Sequence, residues 1–242
     1  MTMQPLTNER SRLPAQATQT ASPITIGEPR PLPKIAVLGA GHSGPVIARA
    51  AVEAGYEVSV AASDDPEQIA LISQVLVPGA TPRWAADAVA DADVVVLAIP
   101  IHKFAAFDPA LLAGKLVVDV MNYWPPVDGV QPLFEDGPRG TSEIVQDRLA
   151  DSTIVKTLNH LGYHQIDEER RAAGSPDRIA VGVAGDDADA VAIVAEIVDR
   201  IGFDAVRLDS LRAGRVFEAG GPVFGALLRR SEFDRALHPA AA

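Results

Sequence analysis

The 242-residue chain contains no cysteine. That absence removes a disulfide framework, a thiolate metal site and a cysteine nucleophile together, and it suits a reducing compartment such as the cytoplasm. Basic residues are in short supply: 21 Lys and Arg stand against 32 Asp and Glu, a formal charge of −11. A partner with a phosphate backbone selects for a basic field over one face, so nucleic acid is not expected as a partner. Long apolar runs are missing as well. Stretches such as VVVLAI (94–99) fall far below the roughly 20 residues that a bilayer-spanning helix needs, and a membrane is not expected as a partner either. What is there is 48% hydrophobic residues with 19 Gly and 19 Pro, enough for one large domain or one domain with a small appendage.

Residues 1–33 are polar and proline-rich, with no apolar stretch that would serve as the core of a signal peptide, and read as a flexible leader. From Lys34 onward, short apolar runs alternate with helical composition, the sequence form of βαβ units on a parallel sheet. Strands are expected at KIAVLG (34–39), YEVSVA (56–61), DVVVLAIP (93–100), KLVVDV (115–120), TIVKTL (153–158), RIAVGVAG (178–185) and DAVRL (204–208), with a short edge strand at TPRW (81–84). Helices are expected at 43–54, from Pro66 to about Val75 with Asp64 or Asp65 as cap, at AADAVADA (85–92), at TSEIVQDRL (141–149), and at 186–202 with Val191, Val194, Ala195 and Val198 inward. The segment beyond residue 208 has poor periodicity. The fold class is therefore α/β: a Rossmann-type doubly wound parallel sheet over 34–150, with a small C-terminal α/β extension over 151–242 for substrate binding or dimerisation.

The first strand runs into G-x-G-x-x-G at Gly39, Gly41 and Gly44. Standing after a strand and opening a helix, these glycines have three separate uses. Gly39 permits the sharp turn, Gly41 lets backbone approach a diphosphate, and Gly44 lets helix pack closely on strand. The unpaired amides and positive end of the helix dipole then face the anion. The choice between NAD and NADP falls about 20 residues on, at Ser63, Asp64 and Asp65. A hydroxyl there suits a 2′-phosphate, and carboxylates repel one; helix capping is an equally good reason for the Asp pair.

KIAVLGAGHSG, YEVSVAASDDPE, ADVVVLAIP, VVDVMNYW, VKTLNHLG, VGVAGDDADA and IGFDAVRLDSLRAGRVFEAGGPVFG together resemble the coenzyme F420-dependent NADP oxidoreductases over residues 34–225. The Lys-x-x-Asn strand and the GFDAV ending are the more specific parts. The resemblance implies a Rossmann domain with a small C-terminal domain, a cleft between them, a homodimer, and direct hydride transfer between NADP and the deazaflavin of F420. It further implies that Ala40, His42 and Ser43 meet the diphosphate and that Ser63 faces the adenosine 2′ position. Ile99, Pro100 and His102 would lie along the adenine-to-nicotinamide stretch, with Asn159, His160 and Leu161 near the nicotinamide. NADP-using relatives carry arginine where this chain has Asp64, so NAD or dual use is a live expectation.

No nucleophile elbow or long helical domain accompanies the glycines, and hydride transfer between two cofactors needs neither. His42, in the glycine loop, reads either as an orienting group for a deazaflavin carbonyl or as a solvated turn residue. His160 and His164 stand four apart without a third ligand, and no metal is expected. Tyr123 and Trp124 read either as a ring platform or as a plug under the proline loop. Six arginines between 207 and 235 read as a seat for the anionic tail of F420, a dimer contact, or plain surface charge. Two other readings stand beside hydride exchange with F420: reduction of a flavin, a metal chelate or a small carbonyl compound, and dinucleotide sensing without turnover.

Overall fold

A computed structural model describes residues 31–63, 65–135 and 137–238. The leader expected over 1–33 lies almost wholly outside them, as does Asp64.

Chain order is β1 (Ile35–Leu38), α1 (Ser43–Glu53), β2 (Val58–Ala61), α2 (Pro66–Leu76), β3 (Thr81–Pro82), α3 (Ala85–Asp91), β4 (Val94–Leu97), α4 (Ile101–Phe104) and β5 (Leu116–Asp119). It continues through α5 (Pro125–Asp128), α6 (Thr141–Arg148), β6 (Thr153–Thr157), α7 (Tyr163–Glu168), β7 (Ala180–Gly185), α8 (Ala188–Arg200), β8 (Asp204–Leu208) and α9 (Arg230–Leu237). The strands form one sheet ordered β3-β2-β1-β4-β5-β6-β7-β8, with β6 and β7 the antiparallel pair. The first six strands follow the Rossmann order, whose direction of winding reverses between β1 and β4 and opens a crevice at the strand ends there. Residue 150 falls between α6 and β6, and the sheet runs on through it.

Continuous apolar strands arise because both faces of this sheet are covered. In β1, Ile35 and Val37 pack under α1 and α8, whereas Ala36 and Leu38 pack under α3, α4 and α6. The expected inner face of α8 is present: Val191, Val194, Ala195 and Val198 are all buried. Asp65 caps α2, its carboxylate accepting from the Glu67 amide at 2.9 Å, with Pro66 as first helical residue.

The segment without periodicity folds as a 3₁₀ turn (Arg212–Phe217) and α9. It is anchored by Phe217, Val223 and Phe233, spaced without a helical period, which all plug into β7. They fit because the β7 face beneath them carries only Ala180, Gly182 and Ala184. A Cβ on Gly182 would stand 2.0 Å from the Phe217 ring. Gly182→Ala is expected to lower stability by about 3 kcal/mol, the upper end of overpacking costs; urea unfolding checks this, and an unchanged midpoint would count against the contact.

Candidate functional site

The three glycines behave differently. Gly39 has φ +123°, and a Cβ there would stand 2.3 Å from the carbonyl oxygen of Ala98; on Gly44 it would stand 2.0 Å from that of Gly39. Both positions are closed by the protein's own backbone. A Cβ on Gly41 would meet nothing within 4 Å. Helix α1 begins beside this open position without a side-chain cap and without an acidic residue in its first turn. Its first amides have no intrahelical partner, and its dipole is not neutralised. That donor set and the open space fit a diphosphate.

Beside the turn, at the ends of β1, β2 and β4, lies a cleft of about 500 Å³. Gly39, Ala40, Gly41, Ser63, Ile99 and Pro100, all expected at a nucleotide, line it. Its described lining is apolar except for Ser63 and Lys103. Gly44 lies beneath the turn, where it holds helix to strand. The His42 ring stacks on Tyr163 with centroids 4.9 Å apart and planes at 20°, and His164 meets Tyr163 edge-on. Ser43 is the first residue of α1, and exposed His102 sits on α4; neither lines the cleft.

Asn159, His160 and Leu161 do not line it either. They follow β6 and are buried. Leu158, with φ +61°, turns the chain there, and the Asn159 amide donates to the Thr157 carbonyl at 2.7 Å, closing a γ-turn. Such a conformation is strained for a non-glycine residue and persists only where its surroundings enforce it. The surroundings are polar: Asn159 Nδ2 donates to Asn122 Oδ1 and to the Phe217 carbonyl, both at 2.9 Å, while its Oδ1 is buried without a partner among the described residues. Next to it, Lys156 Nζ donates to Ser142 Oγ (2.9 Å) and Thr141 Oγ1 (3.1 Å), and Asp119 Oδ2 accepts from Ser142 Oγ at 2.5 Å. Asp119 Oδ1 takes the Met121 amide at 3.0 Å, and Glu218 Oε1 takes the Thr141 amide and hydroxyl at 2.6 and 2.8 Å. The ends of β5 and β6 are thus sewn to α6 and to the 3₁₀ turn.

The His160 ring lies between Phe217 and Phe233, at 5.2 and 5.9 Å, and neither nitrogen finds a hydrogen-bond partner. Burial, then the nearby Lys156 charge, pushes its pKa down from 6.5 to about 3. Unfolding frees the imidazole to take a proton at the ordinary value, so this site costs no stability above pH 6.5. As pH falls from 6.5 toward 3 it removes about 1.4 kcal/mol per unit. His160→Phe is expected to flatten that acid limb of the stability profile; an unchanged slope would place the acid sensitivity elsewhere.

Tyr123 is a plug. Its ring packs on Phe134 at 5.6 Å, and its hydroxyl donates to Glu135 and accepts from the Gln131 amide. Trp124 is half exposed, with its amide bound to Asp128 Oδ2 at 2.7 Å. Among the described residues, no three His, Asp or Glu side chains group to hold a metal ion, and no helix is long and apolar enough to cross a membrane.

Residues 34–123 match the family described as NADP oxidoreductase, coenzyme F420-dependent. The fold is also similar to a candidate F420-dependent NADP-reductase from Arthrobacter sp. FB24, 31% identical, with a TM-score of 0.61 over 76% of this chain and 87% of that one. The chain belongs to this F420-dependent NADP oxidoreductase family. A hypothetical protein, SMa0349 of Sinorhizobium meliloti, is similar at 25% identity, with a TM-score of 0.71 over 81% of this chain and 95% of that one. An imine reductase from Pseudomonas sp., at 18% identity and TM-score 0.52 over 77% of this chain and 60% of that one, shares the fold. No curated protein sequence matches.

As a member of this family the chain is an NAD(P)-dependent oxidoreductase. Two features of it escape sequence reading. Asn122 and the Asp119–Ser142–Lys156 set draw partners from segments up to 37 residues apart, and pairing at that range leaves no local pattern. Lys103 had a weak signal, a lone base one turn past the strand that borders the crevice.

Proposed function

We propose that the chain passes hydride directly between a nicotinamide dinucleotide and coenzyme F420. The observation that supports this most is the open side of Gly41, facing a mainly apolar cleft at the parting of β1 and β4. In this reading the first amides of α1, from Ser43 and Gly44, hold the diphosphate, with Ala40 and His42 at its flanks and Ser63 beside the adenosine ribose. Ile99 and Pro100, with His102 at the rim, border the run toward the nicotinamide. Asn159, His160 and Leu161 act from behind by fixing the end of β6.

When bound, F420 supplies the deazaflavin ring that exchanges hydride with the nicotinamide. The chain's own work is to bring two flat rings into contact and keep water out, which requires apolar walls more than an acid or base. The stacked His42–Tyr163 pair gives such a wall next to the glycine turn, and in this reading the C-terminal extension bounds the acceptor side. A cytoplasmic homodimer completes the proposal, on family resemblance.

The test is to mix the protein with NADPH or NADH and F420 and follow the absorbance band from which F420 takes its number. Bleaching is expected. No bleaching with either nucleotide overturns the F420 assignment; nicotinamide oxidation by a flavin, a metal chelate or a small carbonyl compound would then give the acceptor, and binding without any turnover would indicate a sensor.

A further inference from the structure

We infer that Lys103 is the cation that recognises a 2′-phosphate on the adenosine ribose, so that selectivity for the phosphorylated dinucleotide is carried by α4 and not by the turn after β2. The inference rests on the cleft being the dinucleotide site.

The chain has four lysines. Lys34 bridges Asp91 and Glu57 at 3.1 and 3.3 Å. Lys115 donates to the Ala92 carbonyl at 2.9 Å, and Lys156 is buried in its hydroxyl and carboxylate network. Among the described residues, the Lys103 ammonium alone of the four makes no hydrogen bond or ion pair, although 32 carboxylate side chains are available in the sequence to attract it. It lines the cleft with Ser63, and no acidic side chain is among the described lining residues.

Its placement is fixed from below. Helix α4 is a single turn whose Ile101 and Phe104 are buried at 3% and 0% exposure, so the Lys103 backbone cannot drift although its side chain is exposed. Lys103 shares the cleft lining with the apolar side chains of Pro100, Ala106 and Phe107, and its ammonium is a compact charge on a flexible tether. A charge held over low-dielectric surface attracts an anion more strongly than one in open water. A ribose diol gives that ammonium little; a phosphomonoester gives it a charge-assisted hydrogen bond. The turn after β2 offers no competing base, since Ser63 is followed by Asp64 and Asp65 and the Asp65 carboxylate is occupied in capping α2.

Fluorescence titration of the full chain with NADPH and with NADH, repeated for Lys103→Met and Lys103→Arg, decides the matter. Methionine keeps the apolar stem and removes the charge. The wild-type chain is expected to hold NADPH at least about tenfold tighter than NADH, a difference of about 1.4 kcal/mol. Lys103→Met should erase that margin by weakening NADPH while leaving NADH within about twofold, and Lys103→Arg should keep it. Competition by 2′,5′-ADP against 5′-AMP should follow the same ranking. Equal weakening of both nucleotides, no change in either, or a wild-type preference for NADH overturns the assignment of Lys103 while the dinucleotide site stands. A wild-type chain that binds neither nucleotide overturns that site and this inference with it.

Discussion

Asp119→Ala is expected to lower stability by about 3–5 kcal/mol, the largest loss anticipated from any single change at the ends of β5 and β6. Lys156 Nζ is fully buried, 3.8 Å from Asp119 Oδ2, and its other partners are the neutral hydroxyls of Thr141 and Ser142. Removing the carboxylate strips the buried ammonium of its ion-pair partner, with Glu218 reached only through the Thr141 hydroxyl, and leaves Ser142 Oγ and the Met121 amide without their acceptor. Against a total of about 5–15 kcal/mol for a domain, that is a large fraction. Lys156→Met should cost less, because Asp119 keeps both of its hydrogen bonds. The double variant should lose less than the sum of the two single losses. Urea unfolding of all four proteins gives the cycle; strictly additive losses would show that the two charges do not support each other.

Gly41→Asp should act in the opposite way, leaving the fold intact and abolishing nucleotide binding. Its Cβ enters space where, beyond its chain neighbours, no atom of the described residues lies within 4 Å, so the nucleotide-free chain should melt as the wild type does. The carboxylate would occupy the diphosphate position and repel it. Loss of affinity is expected at about 100-fold or more, some 2.7 kcal/mol, read by fluorescence titration with either reduced nucleotide. Gly44→Ala gives the contrast: its Cβ would stand 2.0 Å from the Gly39 carbonyl oxygen, so melting temperature and affinity should fall together. Unchanged affinity in Gly41→Asp would remove the diphosphate from the turn.

The strands were legible in the sequence because a sheet covered on both faces leaves unbroken β-branched runs, as in VVVL of β4 and AVGVAG of β7. The glycine turn was legible because each glycine answers a separate steric demand. The C-terminal cap was not, since Phe217, Val223 and Phe233 are spaced to match a row of small residues on another strand and obey no period of their own. Helix α7 leaves no sequence signal for a related reason: its six residues bury a single apolar side chain, Ile166, too few to print a repeat. Tyr123 and Trp124 carry the same chemistry in sequence, and only the packing of the proline loop separates the plug from the half-exposed ring.

Backbone ladders tie β5 to β6 and β6 to β7, with Val155 opposite Gly185. The glycine turn and the C-terminal cap therefore sit on one continuous sheet. In the proposed hydride exchange, both reactants would arrive and depart along the exposed strand ends, and whichever entered first would stand in the doorway of the other.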